Sequence, residues 1–316
     1  MRKTFITGGT GFLGANLVAD MAARKEKTVV LIRESSDLTL LKAIASDSDI
    51  EAFIEFISFA SNSEIPDILD RVRPDGIIHV AAKGGHQHNT EDIPALVNAN
   101  IELGAMLLEG AHVTGKRTGV PIPLVFCGSY FQHAGETIKL HPNSFYAATK
   151  TAFEMLAHYY NQVLHNPVMG IKFYDIYGLY DRRKRIVDLI FASLNADEPL
   201  RLSGGEQKLR LLNVDDAVNA LIYALELLSG DDELELTYGA GGDEYVSIKE
   251  LVAIIENITQ KVANVEWGAI PYRNSEIFNP IMLKRMPSWK PRVSLKSGLS
   301  RRYDLWKNEL SKEHGK

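Results

Sequence analysis

The chain has one cysteine, Cys127, so no intramolecular disulfide can form and no cysteine cluster can hold a metal. That scarcity fits a reducing compartment. No apolar stretch approaches the ~20 residues needed to span a bilayer. The opening run Met1-Arg2-Lys3-Thr4-Phe5-Ile6-Thr7 meets a glycine cluster before a signal-peptide apolar core could form. An excess of positive charge is also missing. The chain has 35 Lys and Arg against 40 Asp and Glu, a net charge of −5, which argues against a general nucleic-acid binder with a basic face. The basic run Arg182-Arg183-Lys184-Arg185 is local, suited either to a small anionic ligand or to a solvated loop. Repeats and low-complexity segments are absent. These absences lead us to expect a cytoplasmic protein that binds neither membrane nor nucleic acid.

What is present reads as a large globular core. The chain has 316 residues, 45% of them hydrophobic and 24% charged, enough for about two domains. Its first two thirds alternate short β-type runs with helical segments, as in a parallel, doubly wound α/β sheet of the Rossmann type. Phe5-Ile6, Thr28 to Ile32, Gly76 to Ala81 and Pro123 to Cys127 read as strands, the continuous apolar runs suiting burial on both faces. Helices fit Ala15 to Val18 and Ile101 to Ala111. After residue 175 loops lengthen, a helix follows from Asp215 to Leu228, and Glu235 to Tyr238 reads as a strand. The expected division is a dinucleotide domain of 1–175 plus 211–240, with a smaller, discontinuous C-terminal α/β substrate domain of 176–210 plus 241–316.

Gly8, Gly11 and Gly14 lie in Thr7-Gly8-Gly9-Thr10-Gly11-Phe12-Leu13-Gly14, between the first strand and the first helix. Gly8 suits a tight turn, Gly11 lets a pyrophosphate approach the backbone, and Gly14 lets helix pack on strand. The helix N-terminus then offers N–H donors to the diphosphate. At the end of the second strand a carboxylate would select NAD and an arginine would accommodate a 2′-phosphate. This chain has Arg33 there, with Ser35 and Ser36 behind it, so the cofactor read from the sequence is NADP(H).

Ser144-Phe145-Tyr146-Ala147-Ala148-Thr149-Lys150 contains a Tyr and a Lys four residues apart in a helical segment, hence on one face. The spacing predicts that the Lys150 ammonium lowers the Tyr146 phenol from its usual ~10. Tyr146 would pass a proton to a substrate oxygen, and Ser129, just past the strand ending at Cys127, would hold that oxygen.

The glycine motif, Asp75 to Ala82, Asn100 in Asn98-Ala99-Asn100-Ile101, Ser129 and the Tyr146–Lys150 pair together resemble the extended short-chain dehydrogenases/reductases, the NAD-dependent epimerase/dehydratase family. Gly128 to His133, Phe145 to Glu154, Phe173 to Gly178, Gly205 to Gln207, Val214 to Asp216 and Trp267 to Arg273 are similar to bacterial nucleotide-sugar 4-ketoreductases, among them the CDP-abequose and CDP-paratose synthases. The resemblance implies that Thr10, Phe12, Leu13, Ala81, Ala82, Lys83, Asn100 and Phe173 join Tyr146 and Lys150 around the cofactor. It implies Ser129, Gln132, His133, Asp175, Arg183, Arg185, Gln207 and Arg273 around a nucleotide-sugar substrate, and a homodimer formed through the helix carrying Tyr146. Many relatives have Asn where this chain has Asp175, and Leu209-Arg210 stands where Arg-Asp is frequent. A carboxylate at 175 would repel a pyrophosphate unless Arg183 and Arg185 compensate.

The function expected is NADPH-dependent reduction of a nucleotide-linked 4-keto-6-deoxy sugar. A 4-epimerase with retained cofactor shares every motif, and a carbonyl reductase without a nucleotide or a non-catalytic NADP(H) sensor would share the fold. His86 and His88 lack further ligands at metal-binding spacing and read as loop residues at the substrate mouth. No metal is expected. His79 reads as a satisfied core histidine, Asp215-Asp216 as helix-capping carboxylates, Asp231-Asp232-Glu233 as a solvated run, and Cys127 as inert packing.

Overall fold

The computed structural model describes residues 2–85, 87–133, 137–181, 183–230 and 234–314, with side chains as far as 308. His86, Arg182 and the acidic run 231–233 lie outside these residues. The central sheet consists of β1 (Lys3–Thr7), β2 (Lys27–Ile32), β3 (Ile54–Ser58), β4 (Gly76–His79), β5 (Leu124–Ser129), β6 (Val168–Phe173) and a last strand, Thr237–Ala240. Its order is Thr237–Ala240, β6, β5, β4, β1, β2, β3, and every pair is parallel. Apolar runs such as Val29-Val30-Leu31 and Ile77-Ile78 are buried because helices cover both faces.

Helices Phe12–Ala23 and Val214–Leu227 cover one face, around Leu17, Val18 and Leu221. Helices Ile65–Val72, Leu103–Thr118 and Phe145–Gln162 cover the other, around Leu69, Leu107 and Phe153. A separate apolar cluster at Ile190, Phe191, Leu251, Ile255 and Leu299 joins helices Ile186–Ser193, Ile248–Thr259 and Leu295–His314 into the smaller C-terminal part. The α/β doubly wound class expected from the sequence is therefore the observed one. Winding reverses between β1 and β4: the chain runs outward through β2 and β3, then returns to build the other half. That reversal opens a crevice at the carboxyl ends of the central strands. Among the described residues no helix is long and apolar enough to cross a membrane.

Some boundaries and roles differ from expectation. The last strand lies two residues beyond the expected Glu235 to Tyr238. Asn213, not the Asp215-Asp216 pair, caps the helix Val214–Leu227: its side-chain oxygen accepts the Asp215 N–H at 3.0 Å. Asp216 instead is buried and accepts the backbone N–H groups of Arg292 (2.9 Å) and Val293 (3.0 Å), pinning the C-terminal segment. Asp215 pairs with Arg301 at 3.0 Å. His79 is buried in β4, and its Nδ1 meets Thr7 Oγ1 at 2.7 Å, yet Nε2 has no partner among the described residues. The ring is thus only half satisfied. Burial and, secondly, the Lys150 ammonium push it down from 6.5 to about 3.

Candidate active site

The loop after β1 is built from close approaches that only glycine permits. Gly8 has φ +74°, and a Cβ there would come within 2.5 Å of the Ala81 nitrogen. A Cβ on Gly14 would overlap the Gly8 carbonyl, so the first helix is drawn against its own loop. Gly11 is the N-cap, no side chain caps the helix, and its first turn has no acidic residue. The orphan N–H groups of that turn are therefore available to an anion, and the cradle fits a dinucleotide diphosphate.

The cleft over this loop has a volume of about 1510 Å³, more than one small-molecule site needs. Gly8, Thr10, Gly11, Phe12, Leu13 and Gly14 form its floor; Ala81, Ala82, Lys83, Ser129 and Phe173 border it at the ends of β4, β5 and β6. Arg33 and Ser36 close one end, locked in a turn: the Arg33 N–H donates to Ser36 Oγ at 2.9 Å, and the Ser36 N–H to the Arg33 carbonyl at 2.9 Å. The Arg33 guanidinium lies 5.9 Å from the Phe59 ring centre and donates to Asn98 Oδ1 at 3.3 Å. Phe59 and Asn98 are both on the cleft wall; Asn98 was not foreseen, because the helix bearing it had first to be placed against the sheet. Ser35 is exposed and lies off the cleft.

Asn100 is also not on the cleft wall. It is fully buried in a π-helical turn, Asn98–Glu102, that interrupts the helix. Its carboxamide accepts the Lys83 N–H (2.8 Å) and donates to the Lys83 carbonyl (2.9 Å) and Thr149 Oγ1 (2.9 Å). These bonds tie the loop after β4 to the helix carrying Tyr146.

Tyr146, Lys150 and Ser129 face the cleft together. Ser144 caps the helix bearing Tyr146 and Lys150, accepting the Ala147 N–H at 3.2 Å. The Lys150 ammonium is fully buried and donates to the Cys127 carbonyl at 3.0 Å, tying the helix to β5. Burial lowers the Lys150 pKa and pushes the Tyr146 phenol up to about 12. The expectation that Lys150 depresses the phenol is therefore corrected: Arg185 and Arg183 pull Tyr146 down, and burial outweighs them. Ser129 Oγ accepts the Phe131 N–H at 3.3 Å, leaving its own O–H to be donated elsewhere. Cys127 is buried, its thiol pushed up to about 12 by burial, as suits packing.

At the other end of the cleft, Asp175 lies among Arg185, Arg183 and Arg273, which draw its carboxyl down against the larger upward push of burial. Arg183 lines the cleft as well, with most of its guanidinium engaged within the protein. It binds both oxygens of Asp181 (2.7 Å each), donates to the Ile176 carbonyl (2.7 Å) and stacks 4.4 Å from the Phe12 ring centre. Arg185 and Arg273 line the cleft and form no ion pair among the described residues. Gln207 lines it as well: its Nε2 donates to Ser203 Oγ at 3.1 Å, while Oε1 is buried without a partner. Gln132 and His133 do not reach the cleft; both are buried behind β5, engaged with Glu154 and Lys172. Tyr130 and Tyr174, also unforeseen, form an aromatic wall with parallel rings 4.7 Å apart. His88 stacks on Phe145 at 4.6 Å, beside Tyr146 in sequence.

Known proteins share this architecture. The chain is 29% identical to the CDP-abequose synthase of Yersinia pseudotuberculosis over 88% of its own length and 91% of the relative's. It is 26% identical to that of Salmonella typhimurium over 93% and 95%, and 23% identical to the UDP-glucuronate 4-epimerase of Thermodesulfobacterium geofontis over 96% and 95%. Among solved structures, a tyrosine-to-phenylalanine mutant of the UDP-glucuronic acid 4-epimerase of Bacillus cereus, in complex with UDP-4-deoxy-4-fluoro-glucuronic acid and NAD, superposes with a TM-score of 0.79 at 22% identity, over 97% of this chain and 99% of that one. The family model for the NAD dependent epimerase/dehydratase family matches residues 4–237. This protein accordingly belongs to the NAD dependent epimerase/dehydratase family.

Proposed function

We propose that the protein reduces a nucleotide-diphosphate-linked 4-keto-6-deoxy sugar at C4, with NADPH as reductant. The observation that carries this reading is the convergence on one cleft, above the glycine loop, of the Tyr146 phenol, the Ser129 hydroxyl and Lys150: a proton donor and a hydrogen-bond donor face the space where a carbonyl oxygen would lie. The similarity to CDP-abequose synthases supports the substrate class. A nicotinamide dinucleotide supplies hydride to the carbonyl carbon. Tyr146 gives its proton to the carbonyl oxygen, Ser129 donates a hydrogen bond to the same oxygen, and Lys150, anchored on the Cys127 carbonyl, holds the tyrosine's helix in place. Arg185 and Arg273 bind the substrate diphosphate, screening it from Asp175. The unpartnered Gln207 Oε1 accepts a hydrogen bond from the nucleotide.

The test is consumption of NADPH against dTDP-, CDP- and GDP-linked 4-keto-6-deoxy sugars, with NADH in parallel. Oxidation driven by one sugar supports the reading; silence from folded, NADPH-binding protein that keeps cofactor through purification favours a 4-epimerase. Arg33→Asp replaces a fork for the 2′-phosphate with a repelling carboxylate. It is expected to shift the NADPH-over-NADH preference by about a hundredfold, the worth of a charge-assisted contact plus repulsion. An unmoved preference would refute the choice of NADP.

The reading includes a homodimer. Met155 and Tyr159 on the helix Phe145–Gln162 and Val163 at its C-cap stand four residues apart, each roughly half exposed, and Val113 on the adjoining helix is exposed too. Water-facing apolar stripes of this kind mark association surfaces. Sedimentation is expected to show a dimer for the parent chain and a monomer for Met155→Glu/Tyr159→Glu, with the far-ultraviolet spectrum unchanged.

A further inference from the structure

Behind the catalytic strand lies a buried polar cluster, Gln132, His133, Glu154 and Lys172, none of which lines the cleft. Glu154 sits one helical turn past Lys150 and two past Tyr146, on the same helix. Its side chain is 7% exposed and pairs at 2.9 Å with Lys172 of β6, which is 4% exposed. Buried charges left without partners would be costly, so each requires the other. The other Glu154 oxygen accepts from Gln132 Nε2 at 2.6 Å. Because a carboxylate only accepts, the Gln132 carboxamide can point one way, with Oε1 facing β5. There it accepts the backbone N–H of Ser129 at 2.9 Å.

His133 fixes the remaining side. Its Nδ1 contacts the Lys139 carbonyl at 3.2 Å and must carry the proton, so Nε2 accepts from the Lys172 ammonium at 2.8 Å. Lys172 is thus held by both Glu154 and His133. Gly128 leaves room for this arrangement: a Cβ there would come within 2.9 Å of Lys172 Cγ and 3.0 Å of Gln132 Oε1.

We propose that Lys172, Glu154 and Gln132 are positioning residues for Ser129. The ion pair orients the Gln132 carboxamide, the carboxamide holds the Ser129 N–H, and the Ser129 hydroxyl is thereby set against Tyr146. This rests on Ser129 being the hydroxyl that binds the substrate carbonyl. The helix bearing Tyr146 and Lys150 supplies Glu154 as well, so one rigid element sets the proton donor and, through Gln132, its neighbour.

Glu154→Gln keeps the size but puts an N–H₂ where a carboxylate had forced the orientation of Gln132, which is then free to turn its own N–H₂ toward Ser129. Expected is a loss in kcat of roughly tenfold or more, with KM for NADPH unchanged, as for a misplaced reacting group. The deciding measurement is the double variant Ser129→Ala/Glu154→Gln. If the relay acts through Ser129, it is no slower than Ser129→Ala alone; additive losses would overturn the proposal. Gln132→Met, which removes the acceptor and spares the ion pair, gives the same non-additivity should Glu154→Gln fold poorly. Amide exchange in a peptide spanning 129–131 reads the relay without turnover. Faster exchange in Glu154→Gln is expected, and unchanged protection overturns the relay. A Ser129→Ala enzyme with full kcat removes instead the role given to Ser129, and exchange alone then judges the relay.

Discussion

Tyr146→Phe is expected to lower kcat by on the order of 10²- to 10⁴-fold, the range for a lost general acid, while NADPH affinity measured by fluorescence titration stays the same. The substitution removes one oxygen from a ring whose helix is fixed elsewhere: Ser144 caps it, Lys150 ties it to the Cys127 carbonyl, and Glu154 anchors it from below. No packing explanation is left for a fall of that size. Since the phenol is held at about 12, the wild-type rate is also expected to show no loss from Tyr146 ionisation until strongly alkaline pH. A variant with full turnover would mean that another group donates the proton, and the reductase reading would fall with it.

Acid is expected to destabilise the fold steeply, with His79 the main histidine responsible. Its native value is about 3, against 6.5 for the free side chain, so between these values the unfolded chain binds a proton that the native chain refuses. Stability is thus fully present above pH 6.5 and is lost as the pH falls, at about 1.4 kcal/mol per unit, for a total on the order of 4 kcal/mol near pH 3. His133, also lowered by burial and by Lys172, adds in the same direction. Urea unfolding of the wild type and His79→Asn between pH 7 and pH 4 checks this. The wild-type slope is expected to exceed the variant's by about one proton, and equal slopes would exonerate His79.

The cofactor half of the site was legible because its constraints are local. A turn at φ +74° and a helix packed on its own loop demand glycine within a few residues, whatever the rest of the chain does. The Tyr146–Lys150 spacing is equally local. What escaped needed the third dimension. Gln132 and His133 follow Ser129 closely, yet the short 3₁₀ turn Tyr130–Gln132 carries them to the back of the strand, a matter of backbone direction rather than residue type. The strand β3 carries no long apolar run because it is the half-buried edge of the sheet. The opposition between burial and the arginines at Tyr146 depends on how deeply the cleft is enclosed, which no spacing reveals. Arg183 is the exception: Asp181, two residues earlier, was there to be read as its partner.

The order of the strands also constrains how the chain is made. β6 is finished at Phe173, but its outer neighbour, Thr237–Ala240, lies about sixty residues further on and can pair only after the first part of the C-terminal region and the helix Val214–Leu227 have been synthesised. At ordinary translation rates that leaves an apolar strand edge uncovered for several seconds on each new chain. Such an edge templates pairing with other chains, so it is on the growing chain, before Thr237–Ala240 has docked, that this sheet is most open to aggregation.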